Sequence, residues 1–101
     1  MKDWQELEHK ISALNELTDK IKGIEKEKLL GENLGLVVAG KKLIQEISEK
    51  FGELLNATAF LKTSGLCAEE LNRIEYTINQ KLQEFTRIKR KFEESIVEIS
   101  V

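Results

Sequence analysis

With 101 residues, 18 acidic and 16 basic side chains, the chain can build one hydrophobic core and carries a net charge of −2. That balance supplies no global field for polyanions or for an anionic membrane, and no run approaches the roughly 18 apolar residues a bilayer span requires. Proline is absent, aromatics make up 6% and Cys67 is the sole cysteine, so long aliphatic helices are allowed and an intramolecular disulfide framework is not.

The first element spans about residues 3–30. Trp4, Leu7, Ile11, Leu14, Leu17, Ile21 and Ile24 recur at threes and fours, the period of one helix face rather than of a strand. Asp3 stands where an N-cap belongs, with Glu6 completing a capping-box-like pair. The polar start of the chain, Met1 to Glu6, lacks a leader-like apolar segment, and the setting it suggests is cytoplasmic. A break is expected at Gly31-Glu32-Asn33, with Gly31 ending one helix and Asn33 capping the next.

The second helix is predicted over about 34–62. Its stripe of Leu36, Val37, Gly40, Leu43, Ile44, Ile47, Phe51, Leu54, Leu55, Thr58 and Leu61 is wide enough to touch two partners. Gly35 to Gly40 also reads as a short strand. Nothing else in the chain could pair with it, so the helix is preferred, with its glycines permitting close approach of a neighbour. A second break falls at Thr63 to Cys67, where Gly65 suits a helix end. Glu69 and Glu70 then favour a new first turn. The third helix, about 68–99, carries Leu71, Ile74, Ile78, Leu82, Phe85, Ile88, Phe92, Ile96 and Ile99 on one face. Three helices joined by short connections predict an all-α, elongated, antiparallel three-helix bundle with coiled-coil-like packing. Stripes this long also predict a dimer that buries whatever one chain leaves uncovered.

Residues that could do chemistry are scattered. His9 falls off the apolar stripe and is expected on the surface, and its Glu6-x-x-His9 spacing occurs once where a two-metal bundle needs two. Cys67 sits by a helix start, which lowers a thiol pKa, and by Glu69 and Glu70, which raise it. A small buried filler is the preferred reading. Gly35-x4-Gly40-Lys41 has phosphate-loop spacing, but Lys42 stands where a Ser or Thr must hold magnesium. Asn56-Ala57-Thr58 matches the glycosylation sequon inside a helix, a coincidental match. No cofactor or metal is implied.

Two surface features remain. Arg87, Arg90 and Lys91 form a basic strip away from the third stripe, with Glu84, Glu93 and Glu94 near enough to pair with them and no aromatic residue interleaving on that face to stack bases. Apolar residues outside the main stripes, Leu34, Val38, Phe60, Tyr76 and Val97, read equally well as a local extension of the core at the bundle ends or as a protein interface; with Phe92 and Ile96 on the third helix they are the candidate interface residues. In length and heptad spacing the chain is similar to small flagellar and type III secretion chaperones. It lacks the Trp-x-Gly turn of secreted helical-hairpin proteins, since Gln5-Glu6 follows Trp4. The expected function is a non-enzymatic adaptor, small chaperone or self-assembling bundle, partnered by itself or another protein. A nucleic-acid regulator using the basic strip is the runner-up.

Overall fold

The structure is a computed structural model. It describes the backbone of residues 2–31, 33–65 and 68–100, and their side chains except at 2, 3, 26, 30 and 97–100. All four of its regular elements are helices: α1 (Lys2–Lys22), α2 (Lys26–Leu30), α3 (Leu34–Thr63) and α4 (Ala68–Ser100). The three long helices pack against one another in a body 56 × 20 × 17 Å.

The first expected helix is in fact two. After Lys20 and Lys22 in the last turn of α1, the N–H groups of Gly23 and Ile24 donate three residues back, to Lys20 and Ile21, at 3.1 and 3.2 Å. Glu25 is extended (φ −63°, ψ 141°) and the chain restarts as α2. A basic last turn followed by glycine is an ordinary helix ending. The apolar period continues through Ile24 and hides it. Five residues cannot hold a helix in water by propensity. Leu29, 1% exposed and part of the central core, fastens α2 to the bundle.

Three expected caps differ in detail. Asp3 lies inside α1, which begins at Lys2, and so does not precede it. Gly31 closes α2 without a left-handed conformation (φ −92°), its N–H donating to Glu27 O. Asn33 does precede α3, but its side chain turns back and Nδ2 donates to Lys28 O at 3.3 Å. It therefore satisfies the end of α2 instead of the start of α3. At the second connection Gly65 takes φ +79°, the left-handed position that glycine fills without a Cβ penalty. Gly35 to Gly40 is helical throughout, as expected.

The core draws Leu7, Ile11, Leu14 and Ile21 from α1, Val37, Ile47 and Phe51 from α3, and Ile78, Phe85, Ile88 and Phe92 from α4. The Phe51 and Phe85 rings stack across α3 and α4, with centroids 5.7 Å apart. Gly40 is buried because the Phe92 ring lies on it. A Cβ built there would meet Phe92 Cε2 at 2.2 Å and Leu17 Cδ2 at 3.2 Å. Gly35 and Gly52, in the same helix, have nothing within 4 Å of that position. Close approach is thus a property of Gly40 alone among the three. The buried hydroxyls of Thr18, Thr58 and Ser95 donate to the carbonyls of Leu14, Leu54 and Lys91, four residues back in their own helices.

Ion pairs line the seams. Lys10 Nζ donates to Glu46 Oε2 at 2.5 Å, and Glu6 sits 3.9 Å from Lys50. Lys62 pairs with Glu75 between α3 and α4. The Glu46 hydrogen bond, aided by the Coulombic pull of nearby carboxylates, raises the Lys10 pKa against desolvation. The same hydrogen bond from Lys10 lowers the pKa of Glu46.

Candidate interaction surfaces

The residues expected at an interface separate into groups. Leu34, Val38, Phe60 and Tyr76 are exposed, at 49%, 61%, 70% and 65%. Phe92 is 1% exposed, pinned over Gly40, so its place on an outer surface is corrected: it belongs to the core. Ile96 is half-buried against that core. The Val97 side chain lies outside the described residues, as do Leu66 and Cys67 altogether. Tyr76 is not bare at its polar end, because Gln80 Nε2 donates to its hydroxyl at 2.7 Å.

Two further residues stand out precisely where a helical stripe would bury them. Leu55 and Ile74 belong to the expected core faces of α3 and α4, yet each is 41% exposed. Ile74 lines an open, mainly apolar hollow of about 340 Å³ with Trp4, Leu54, Arg73, Thr77 and Ile78. Trp4 is the first residue of α1 with a described side chain, and it sits level with Leu54 and Ile74. Residues 55–63 of α3 and 68–73 of α4 continue beyond those two positions. Ile74 lies on the apolar face of α4 and is nonetheless open beside Trp4 and Leu54. Periodicity marks which face of a helix is apolar and cannot register how much of that face its neighbours cover. A second open hollow of about 380 Å³, bordered by Lys41, Ile44, Phe92, Glu93 and Ile96, lies elsewhere along α3 and α4.

The basic strip is on the surface as expected: Arg87, Arg90 and Lys91 are all exposed. The carboxylates beside it are engaged elsewhere, Glu84 with Lys81 at 3.2 Å and Glu93 with Lys89 at 4.0 Å. Among the described residues no ion pair reaches Arg73, Arg87, Arg90 or Lys91.

Arrangements for catalysis are sparse. His9 and Glu6 are both exposed, and among the described residues no three His, Cys, Asp or Glu side chains converge to hold a metal. The phosphate-loop spacing at Gly35 to Lys41 lies on α3, so it forms no anion-cradling loop. Among the described residues no helix is long and apolar enough to cross a membrane. Fold and surface define an all-α chain of three mutually packed long helices. No protein-family model matches it, and no curated protein or solved structure is significantly similar to it.

Proposed function

We propose that the chain is a non-enzymatic interaction module that binds a helix of a second copy or of another protein through its apolar hollow. One observation carries the reading: Ile74, on the core-facing stripe of α4, is left 41% exposed beside Trp4 and Leu54. Apolar surface on a core stripe is favoured to leave water at about 25 cal/mol per Å². An incoming helix would cover Ile74, Trp4 and Leu54 together. The pairing of residues 6 with 50, 10 with 46 and 62 with 75 supports an antiparallel arrangement of the three helices. Two copies can present this hollow to each other about a two-fold axis.

Analytical ultracentrifugation over a wide concentration range tests this, with the Ile74→Asp variant as control. Wild type is expected to self-associate or to retain a protein partner on capture. Ile74→Asp should keep its circular dichroism and lose the association. A wild type that stays monomeric and captures nothing, or an Ile74→Asp variant that associates as well as wild type, refutes the placement.

A further inference from the structure

We infer that the flank of α4 beside Trp4 is a self-complementary docking surface whose partner is α4 of a second copy, running antiparallel to it. This rests on the apolar hollow as a binding surface and names its occupant. At Trp4 and Thr77 the apolar hollow of about 340 Å³ meets a wider open one of about 580 Å³, lined also by Gln80, Lys81, Glu84 and Arg87. Together they make one trough along α4 from residue 73 to residue 87. Among the α4 residues that line it, Arg73, Thr77, Gln80, Glu84 and Arg87 recur at steps of four and three. Glu70 extends the same row by one step of three. Alternating threes and fours are the spacing of a seam along which two helices pack.

Read in full, the row is Glu70, Arg73, Thr77, Gln80, Glu84 and Arg87, with acids and bases in equal number. Turned end for end it matches itself. Glu70 meets Arg87, Arg73 meets Glu84 and Thr77 meets Gln80, each contact occurring twice about a two-fold axis that passes between Thr77 and Gln80. Exposed Glu69 and Arg90, which flank the row on its outward side, come together in the same register. A shift of one heptad either way sets an arginine opposite Thr77 and a glutamate opposite Gln80. A parallel pair in register sets like charges opposite one another. The antiparallel register alone gives every charge of the row its opposite.

The structure leaves these groups available to a second copy. Glu70, Arg73 and Arg87 are exposed, and among the described residues none of them has an ion-pair partner. Glu84 is held by Lys81 of its own helix at 3.2 Å, so an incoming arginine meets a carboxylate already fixed in place. Thr77 Oγ1 donates to Arg73 O at 2.9 Å and keeps lone pairs that accept. Gln80 Nε2 donates to the Tyr76 hydroxyl at 2.7 Å and keeps a second N–H that donates. In this register Lys81 of the second copy comes beside Ile74, where its methylene stem covers apolar surface while the ammonium stays in water. Exposed ion pairs contribute orientation more than affinity. Burial of Ile74 and Trp4 therefore supplies the attraction, and the charges select the register.

Charge exchange, read by sedimentation over a wide concentration range, tests the assignment. One variant, Arg73→Glu with Arg87→Glu, makes every charge of the row acidic; the other, Glu70→Arg with Glu84→Arg, makes every charge basic. Wild type should form a dimer that weakens at least about fivefold between about 50 and about 500 mM salt. Each variant alone should self-associate at least about tenfold more weakly than wild type, and their equimolar mixture should form a heterodimer within about threefold of the wild-type affinity. Rescue on mixing separates lost complementarity from misfolding, and circular dichroism of each variant checks the fold independently. If both variants self-associate like wild type while Ile74→Asp does not, the hollow stands and the α4–α4 register is overturned. A monomeric wild type that retains another protein on capture has the same meaning. A mixture that stays monomeric overturns the register too, and a wild type that neither dimerises nor retains a protein overturns the register and the hollow together.

Discussion

Replacing Gly40 by alanine should destabilise this protein, although alanine is the better helix former. An added Cβ would lie 2.2 Å from Phe92 Cε2 and 2.4 Å from Cζ. Carbon atoms rest at about 3.5–4.0 Å, so the ring must retreat by more than about 1 Å. It has little room, being 1% exposed, and Leu17 stands 3.2 Å from the new atom on the other side. Overpacking of this kind costs about 1–3 kcal/mol, against a gain of about 1 kcal/mol from helix propensity. The net expectation is a loss of up to about 2 kcal/mol, or a melting temperature lower by up to about 16 °C. Gly52 provides the internal control, because it lies in the same helix with nothing within 4 Å of its Cβ position. Gly52→Ala should raise stability by about 0.5–1 kcal/mol. Thermal and urea melts of the two variants, followed by circular dichroism, decide the matter. In a Gly40→Ala background, Phe92→Leu should cost less than it does in wild type, since the smaller side chain relieves the clash. If Gly40→Ala proves as stabilising as Gly52→Ala, the Gly40–Phe92 contact does not hold this bundle together in the way described.

Other perturbations probe different parts of the argument. Leu29→Ala should cost about 2–5 kcal/mol and speed hydrogen exchange in α2 and the 23–33 segment before the rest of the chain. Gly65→Ala forces a side chain into the left-handed conformation seen at φ +79° and should cost about 1–2 kcal/mol in a urea melt. The Lys10–Glu46 pair gives stability a pH dependence on both sides of neutrality. Because the Glu46 pKa is lowered on folding, its contribution is present above the usual carboxylate range and is lost as pH falls through the lowered value. The raised Lys10 pKa contributes below its ordinary value and loses that contribution as pH climbs through the raised one. Lys10→Met should therefore flatten the melting temperature against pH at both extremes, and an unchanged profile would disprove the coupling.

Much of the fold is legible in the residue order because it rests on periodicity. The stripes of α3 and α4 place both helices to within a residue at each end, 34–62 expected against Leu34–Thr63, and 68–99 against Ala68–Ser100. Gly65 could be read as a helix terminator because only its backbone freedom matters there. The break at Gly23 was masked by Ile24, which keeps the apolar period while the backbone changes direction. Asn33 marks the junction between two helices in the residue order, but its amide satisfies the end of α2 and not, as expected, the start of α3, a choice that spacing alone does not encode. Phe92 and Ile74 exchanged expected roles for one reason. Both lie on the apolar face of α4, and what distinguishes them is which stretch of that face the other helices cover. Exposure of the arginines was legible from the helical period. Their lack of partners was not, since Glu84 and Glu93 had other lysines within reach.

The buried hydroxyls carry a consequence for how the helices find their alignment. Thr18, Thr58 and Ser95 each satisfy themselves on a carbonyl of their own helix, so each gives its helix a settled interior and gives the neighbouring helices no polar address. Greasy aliphatic contacts tolerate axial sliding far better than directional bonds do. Inside the core, alignment then falls to shape, with the Phe92 ring seated over Gly40 as a detent, while Lys10–Glu46 and Lys62–Glu75 index the outer seams. Loosening the Phe92 layer would strand none of these buried hydroxyls, since each keeps its partner within its own helix.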